Sequence, residues 1–234
     1  MKTNSLPIFA LALTGIFYFC GCATNSFKNY SGQPYHDSVY HGGAQKIPGQ
    51  VQCAYYDFGG EGVAYHVFGT TNFGSGRLNP ADGTYLNEFR MNEAVSTSYT
   101  KFHRPTTLID DNPFDLVTPP ANQLYVGWTD PGEWFNLTVE VAQAGTYAVD
   151  LLYTSNRGGT ISLARNGRVF APDIKIISTN DAKDPVAWRQ WHHWNIMTNI
   201  AEVKLPKGKS VLTVRIVSQG NMNLAWLDFK LKGR

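Results

Sequence analysis

Three tryptophans follow one another at intervals of three residues near the C-terminal end of the chain: Trp188, Trp191 and Trp194. Side chains of a β-strand alternate between two faces, so this spacing does not keep all three indoles on one face of a strand. An exposed indole is unfavourable on a soluble surface and usually marks a binding site. We therefore expect at least one of the three to leave the core and offer a flat apolar face, which suits the C–H face of a pyranose ring.

Two other residues could take part in such a site. Trp128 is a second aromatic candidate, and Asn223 lies where a polar turn beginning at Gly220 leads into a final β-strand. A side-chain amide offers both donors and an acceptor, as sugar hydroxyls require, although Asn is also a common turn residue. We expect the remaining tryptophans Trp134 and Trp226 to belong to the core.

Catalytic motifs are absent from the sequence. It contains no Gly-x-Ser-x-Gly, no His-Glu-x-x-His and no glycine-rich phosphate loop before a helix. Four carboxylates could supply a pair for glycoside hydrolysis, but no spacing brings two of them together: Glu61, Glu93, Glu133 and Asp228. A glycoside hydrolase therefore stays open as an alternative to a binding module, and a structural or adhesive envelope protein is a third reading.

The composition is that of a globular domain. Of 234 residues, 43% are hydrophobic and 16% charged, which excludes a disordered chain. The formal net charge of +2 argues against nucleic acid as a partner. The 6 Trp, 12 Tyr and 13 Phe residues supply apolar faces for a core and for a binding platform alike.

The amino terminus has the pattern of an export signal. Lys2 precedes an apolar run over residues 6–19, which is too short for a comfortable membrane span. A glycine before Cys22 predicts a lipoprotein-type signal peptide over residues 1–22, with lipid attached to Cys22. The mature protein would then be held in the bacterial cell envelope, at the outer membrane or cell surface, by this lipid anchor alone. Cys53 would remain as the single cysteine, so no disulfide within the mature chain is expected.

The rest of the chain divides into a tether and one domain. Residues 23–45 are polar and lack periodicity, which predicts a flexible tether. Residues 46–234 contain many short alternating segments separated by turns, and this is typical of an all-β sandwich. Alternation over residues 134–141 predicts one of the strands, and Asn166-Gly167 predicts a hairpin turn. Residues 72–90 and 99–122 are long loops, and we expect the aspartates of the second loop to be solvated.

Six segments occur in an order that resembles carbohydrate-binding module family 6. They are IPGQVQ at residues 47–52, GGEGVAYH at 59–66, VGWTDPGEW at 126–134, AGTY at 144–147, LPKG at 205–208 and NLAWLDF at 223–229. The resemblance runs from about residue 45 to the end of the chain. It implies a β-sandwich of the jelly-roll type, with long loops at one edge, and non-catalytic binding of β-linked polysaccharide or oligosaccharide chains. A companion glycoside hydrolase is a further expected partner.

The resemblance also assigns roles to residues. In the family a sugar ring lies between two aromatic side chains above an asparagine. By position, these are Trp128, Trp188 and Asn223, with Trp191 as the substitute for Trp188 and Tyr125 as a further binding residue.

The resemblance also implies a structural calcium site, and here the chain departs from the family. The first strand of the family carries Glu-x-Glu, and this chain has Gln52 and Ala54 at those positions. Calcium prefers several hard, often anionic oxygen ligands. Only Gln52, Asp228 and backbone carbonyls remain, so at most a weak calcium site is expected.

Overall fold

The computed structural model describes residues 29–102 and 108–233, and within these residues the chain forms twelve β-strands. The strands are β1 (Gln45–Ile47), β2 (Gly49–Gln52), β3 (Tyr65–His66), β4 (Thr97–Tyr99), β5 (Leu124–Val126), β6 (Trp134–Val141), β7 (Gly145–Ser155), β8 (Gly159–Arg165), β9 (Arg168–Ile176), β10 (Asn195–Leu205), β11 (Gly208–Ser218) and β12 (Met222–Leu231). Short 3-10 helices cover Cys53–Tyr55 and Ala187–Trp191.

The strands form two sheets. The first sheet has the order β1-β6-β11-β8-β9, with β3 also beside β6. The second has the order β10-β7-β12-β5-β4, with β2 also beside β12. Strand β1 runs parallel to β6, and the other described pairs are antiparallel. The predicted all-β sandwich is confirmed.

The core lies between the two sheets. Alternate residues of β6 and β12 point inward, among them Leu137, Val139, Leu227 and Phe229, and each is at most 1% exposed. Burying a side chain of this size contributes about 1.5–3 kcal/mol. Because β12 lies between β7 on one side and β2 and β5 on the other, the loops that begin or end at its first residues are held by the centre of a sheet.

The turn between β8 and β9 has the chemistry that its sequence predicts. Asn166 and Gly167 have φ angles of 49° and 75°, and a two-residue hairpin turn of type I′ requires such left-handed backbone at both positions. Asn166 also accepts a hydrogen bond from the backbone N–H of Val211 at 2.8 Å, which ties the turn to β11.

The described part of the predicted tether packs against the domain. The backbone of Gln33 exchanges hydrogen bonds of 2.8 and 2.7 Å with that of Phe58. The ring of Tyr35 is 4% exposed and stacks on Tyr55 with centroids 5.1 Å apart. The hydroxyl of Tyr30 donates to Asp57 at 2.7 Å. The tether prediction is therefore corrected over residues 30–45. The missing periodicity reflects packing by single aromatic side chains, and Gln45 already belongs to β1.

The predicted signal peptide and lipidation site lie outside the described residues, as do residues 23–28 of the predicted tether. Among the residues that the structure describes, no helix has the length and apolarity needed to cross a membrane. Cys53 is a buried free thiol, and burial raises its pKa well above the usual range.

Candidate functional site

A cavity of about 410 Å³ opens at one edge of the sandwich, between loops that flank β12. This volume lies within the range of small-molecule sites in proteins. Its wall contains all five residues that the sequence singled out as binding residues, together with three others. The lining residues are Leu78, Tyr125, Trp128, Trp188, Trp191, His192, Asn221 and Asn223.

The spacing of the tryptophans is explained by the short helix Ala187–Trp191, hereafter the tryptophan helix. A 3-10 helix has three residues per turn, so Trp188 and Trp191 lie on the same side of it. Trp188 is 46% exposed and Trp191 is partly buried. Trp194 lies beyond the helix, is fully buried, and packs edge-on against Tyr125 with centroids 5.4 Å apart.

Two side chains of the second sheet hold the main chain of Trp191. Its carbonyl oxygen accepts hydrogen bonds from Thr154 Oγ1 and from Asn223 Nδ2, both at 2.7 Å. A carbonyl oxygen has two lone pairs, so this acceptor is saturated. The tryptophan helix is thereby tied directly to neighbouring positions of β7 and β12, which pair Thr154 with Asn223.

Asn223 keeps an acceptor for the cavity. Because its Nδ2 donates to the tryptophan helix, the side-chain oxygen lies on the other side, above Gly127. A Cβ atom at Gly127 would come within 2.6 Å of Asn223 Oδ1, closer than any ordinary contact. Glycine at position 127 therefore leaves the space that the side-chain amide of Asn223 occupies.

Trp128 follows Gly127 and has a positive φ of 51°, which is uncommon for a bulky residue. The backbone before and after it is fixed, since Gly127 N–H donates to Ser96 O at 2.9 Å and Thr129 Oγ1 accepts from Met222 N–H at 3.0 Å. Tyr125 differs from the other aromatics, because it is 2% exposed and contributes only to the inner wall.

Below the tryptophan helix lies a buried ion-pair cluster. Asp184 accepts two hydrogen bonds from Arg189, at 2.8 and 2.7 Å, and one from His193 Nε2 at 2.7 Å. These contacts, led by the Arg189 guanidinium, hold the pKa of Asp184 well below its usual range. His193 is completely buried and its Nδ1 donates to Thr179 O at 3.0 Å. Through Arg189, the cluster holds the tryptophan helix against Asp184.

The second long loop is packed on the same helix instead of being solvated. Asp110 is fully buried, and its Oδ1 accepts from His192 Nδ1 at 2.8 Å and from Trp194 Nε1 at 2.6 Å. Asp115 accepts the backbone N–H of Trp194 at 2.9 Å. Burial raises the pKa of Asp115 to about 7, and the charges of nearby aspartates add to this. The expectation of a solvated acidic loop is wrong because these carboxylates serve as hydrogen-bond acceptors for the segment that follows the tryptophan helix.

Three lining residues were not singled out from the sequence: Leu78, His192 and Asn221. Leu78 is 66% exposed in a glycine-rich turn in which Ser75 and Asn79 are buried. Asn72 anchors that turn by accepting the backbone N–H groups of Gly74, Ser75 and Thr97 at 3.0–3.1 Å. A large apolar residue inside a polar loop was the available signal. For His192 and Asn221, the available signal was their closeness in sequence to Trp191 and Asn223.

The predicted calcium ligands do not fit a calcium site. Gln52 Oε1 accepts a hydrogen bond from Gln123 Nε2 at 2.6 Å. The carboxylate of Asp228 lies 3.7 Å from the ammonium of Lys230. Within the described residues no three His, Cys, Asp or Glu side chains cluster closely enough to hold a metal ion. One engaged neutral amide and one carboxylate beside a cation are a poor donor set for Ca²⁺.

The four carboxylates considered for hydrolysis do not line the cavity. Glu61 pairs with His66, Glu93 pairs with Arg90, and Glu133 accepts the backbone N–H groups of Phe68 and Asp130. Asp228 lies 3.7 Å from the ammonium of Lys230, so each of the four carboxylates has a local partner.

Of the two tryptophans expected in the core, one lies elsewhere. Trp226 is 6% exposed, in a buried cluster with Tyr125, Leu152 and Trp194. Trp134 begins β6, is only partly buried, and lies against Arg215 on the outer face of the first sheet. The expectation for Trp134 is wrong, because strand alternation places it on the opposite side from Phe135.

Comparison with known proteins gives one match to a family model. The model is described as "Carbohydrate binding module (family 6)", and it matches residues 111–231. The matched span contains the tryptophan helix, Trp128 and β12. No curated protein matches the chain.

Three solved structures illustrate the structural similarity. A β-1,3-glucan-binding family 6 module from Bacillus halodurans is 13% identical, with a TM-score of 0.46, over 80% of this chain and 98% of that one. A family 6 module from Cellvibrio mixtus lichenase 5A, in complex with cellotriose, is 22% identical, with a TM-score of 0.39, over 50% and 84%. A family 35 module from Clostridium thermocellum is 19% identical, with a TM-score of 0.38, over 47% and 78%. These scores are low, so the family assignment depends on the sequence match.

Proposed function

The chain belongs to carbohydrate-binding module family 6, and we propose that its cavity binds a β-linked polysaccharide or oligosaccharide chain without cleaving it. The observation that carries the proposal is the convergence of Trp128, Trp188 and Trp191 with Asn223 on one cavity. Indole faces offer stacking surfaces for a pyranose ring, and an amide oxygen accepts a hydrogen bond from a hydroxyl group.

The cavity suits an uncharged sugar. In the described part of the chain, its lining includes no Asp, Glu, Lys or Arg, and its titratable side chains are His192 and Tyr125. Stacking of a base on an aromatic ring is worth about 1–3 kcal/mol, and we use the lower end of that scale for a sugar. A site with two such platforms and one amide suits an affinity in the millimolar to micromolar range, about −4 to −8 kcal/mol.

A hydrolytic role has no support in this arrangement. Glycoside hydrolysis needs two carboxyl groups on either side of the scissile bond, about 5–10 Å apart. The described residues that line the cavity include no carboxylate, and the four candidate carboxylates are engaged with other groups. We therefore treat the chain as a binding module, and a companion glycoside hydrolase would supply any cleavage.

Lipidation at Cys22 would place this module in the bacterial cell envelope, at the outer membrane or cell surface. The proposal is supported by the apolar run over residues 6–19 and the glycine before Cys22. Metabolic labelling with a fatty acid tests it, since the label should be incorporated into the wild type and lost from Cys22→Ser.

Affinity electrophoresis through gels that contain xylan, mixed-linkage β-glucan, laminarin or agarose tests the binding function. The wild type should be retarded by at least one of these polysaccharides. Trp128→Ala and Trp188→Ala should each migrate as in an empty gel, while their far-UV circular dichroism stays that of the wild type.

Trp134→Ala is the matched control, because Trp134 is also partly exposed and lies on the outer face of the first sheet. It should be retarded like the wild type. Unchanged retardation of both site variants would contradict the assignment of the cavity, and a wild type that no polysaccharide retards would contradict the function.

A further inference from the structure

His192 is held in the cavity wall by one of its two ring nitrogens. Its Nδ1 lies 2.8 Å from Oδ1 of Asp110, whose side chain is fully buried, while the His192 side chain is 17% exposed. Two further donors hold the same carboxylate, since Trp194 Nε1 donates to Oδ1 and the Lys101 backbone N–H donates to Oδ2 at 2.7 Å. The carboxylate is therefore a fixed acceptor on both oxygens.

This geometry determines which nitrogen carries the proton. A carboxylate that already accepts two N–H groups cannot donate, so Nδ1 of His192 must be the protonated nitrogen. Nε2 of the neutral ring then carries a lone pair. In the described part of the chain no hydrogen bond to Nε2 is found, and the ring lines the cavity.

The ring also touches the exposed platform of the cavity. The His192 and Trp188 rings meet edge to face, with centroids 5.7 Å apart and planes at 82°. A group bound to Nε2 would therefore lie beside a sugar stacked on Trp188. Asn223 offers an oxygen to the cavity, so both side chains present acceptors, and both require hydroxyl hydrogens from the ligand.

We propose that His192 is a ligand-binding residue whose Nε2 accepts a hydrogen bond from a sugar hydroxyl, and that Asp110 is the positioning residue that sets its tautomer and orientation. The inference rests on the proposed function of the cavity. It adds a specific polar contact to a site otherwise described by its indole faces and one amide.

Neighbouring His193 provides an internal control. Its ring is completely buried, and both of its nitrogens are already bonded, to Thr179 O and to Asp184. Of these two adjacent histidines, only His192 therefore has a ring nitrogen available to a ligand.

Calorimetric titration with xylohexaose, cellohexaose and laminarihexaose measures the contribution of Nε2. His192→Phe keeps a ring against Trp188 but removes both nitrogens, and it should bind about 2- to 12-fold more weakly, as expected for one neutral hydrogen bond. His192→Ala should lose more, because the edge contact with Trp188 is also lost. Wild-type affinity in His192→Phe would overturn the proposal.

Nitrogen-15 spectra of the imidazole rings test the mechanism directly. In the neutral ring of wild-type His192, Nδ1 should be protonated and Nε2 unprotonated, and saturating oligosaccharide should move the Nε2 resonance while both His193 nitrogens stay in place. Asp110→Asn keeps an oxygen facing the ring and should retain this tautomer. Asp110→Ala should allow both tautomers of the His192 ring, and it should weaken binding as His192→Phe does.

The outcomes separate this inference from the proposed function. Loss of binding in Trp128→Ala together with an unmoved His192 Nε2 resonance would leave the cavity as the sugar site and reject the role of His192. A wild type that binds none of the three oligosaccharides would overturn both. Should Asp110→Ala fail to fold, His192→Phe and the wild-type spectra decide the matter.

Discussion

Asn223 donates a hydrogen bond from Nδ2 to the main-chain oxygen of Trp191 at 2.7 Å, so the amide of the site also holds one of its aromatic residues in place. The same oxygen accepts the hydroxyl of Thr154 at 2.7 Å. The cavity is therefore built on the centre of the second sheet, and its aromatic wall does not depend on the loop alone.

Thr154→Val separates the support of Trp191 from contact with the ligand. Thr154 is fully buried and does not line the cavity, and valine keeps its shape. Loss of its hydrogen bond should lower the free energy of unfolding by about 0.5–1.5 kcal/mol. It should weaken polysaccharide retention less than Asn223→Ala does, since the latter also removes an acceptor. Urea denaturation and affinity electrophoresis measure the two effects, and equal loss of retention in both variants would speak against a direct role of Asn223.

Gly127→Ala should displace the Asn223 side chain. The new Cβ would lie 2.6 Å from Asn223 Oδ1, and the backbone at Gly127 has no positive φ, so the conflict is between side chains only. We expect retention to fall to the level of Asn223→Ala, with a stability cost of about 1–3 kcal/mol for overpacking. Gly69→Ala is the control, because its nearest contact would be at 4.0 Å. Full retention in Gly127→Ala would show that Asn223 tolerates displacement.

Leu78→Ala tests the contribution of the loop over residues 72–90. Leu78 is 66% exposed, so its removal should change the free energy of unfolding by less than about 0.5 kcal/mol. Binding should weaken about 3- to 10-fold if its methyl groups cover part of the sugar. Leu116→Ala is matched in chemistry and exposure, at 67%, but lies outside the cavity wall, and it should bind as the wild type does. Calorimetric titration of the two variants gives the comparison.

Acid should weaken the buried ion-pair cluster of Asp184, Arg189 and His193 that holds the tryptophan helix. The pKa of Asp184 is lowered in the folded state by Arg189, so its stabilising contribution is complete above the usual pKa of an aspartate and is lost as the pH falls below it. Between pH 5 and pH 3, the stability difference between wild type and Asp184→Asn should shrink by about 1 kcal/mol. Asp115, with its pKa raised to about 7, is present in both proteins, so its own contribution to the pH dependence cancels in this difference.

Urea denaturation at the two pH values measures this difference, with Asp173→Asn as the control. Asp173 is exposed on β9, so its substitution removes a carboxylate without removing a buried ion pair. A constant difference between wild type and Asp184→Asn would show that Asp184 is not held by the ion pair in solution.

Calcium should have no effect on the domain. Gln52 is engaged by Gln123, and Asp228 lies beside Lys230, so the two predicted ligands leave little attraction for a divalent cation. The melting temperature should be the same in millimolar CaCl₂ and in excess EDTA. A rise in CaCl₂ of several degrees would show that backbone carbonyls and Asp228 suffice to hold the ion.

Several parts of the structure followed from local sequence rules. Alternation in residues 134–141 predicted β6, and Asn166-Gly167 predicted the hairpin turn, because both depend on neighbouring residues alone. The family resemblance supplied Trp128, Trp188 and Asn223, which the structure brings to one cavity. Whether they bind a sugar stays a prediction.

Other parts depended on contacts between segments far apart in the chain. The sequence predicted that Asp110 is a solvated loop residue. In the structure it is bonded to His192, which lies 82 positions later in the chain. In sequence, Leu78 is an isolated apolar residue in a polar loop. In the structure this loop is bonded to β4, and Leu78 lines the cavity. The residue types and spacings by themselves determined an all-β chain with indoles that leave the core. Only the tertiary structure decided which indoles share a cavity and which nitrogen of His192 is bonded to Asp110, because hydrogen bonds and packing between distant segments carry no signal in local sequence.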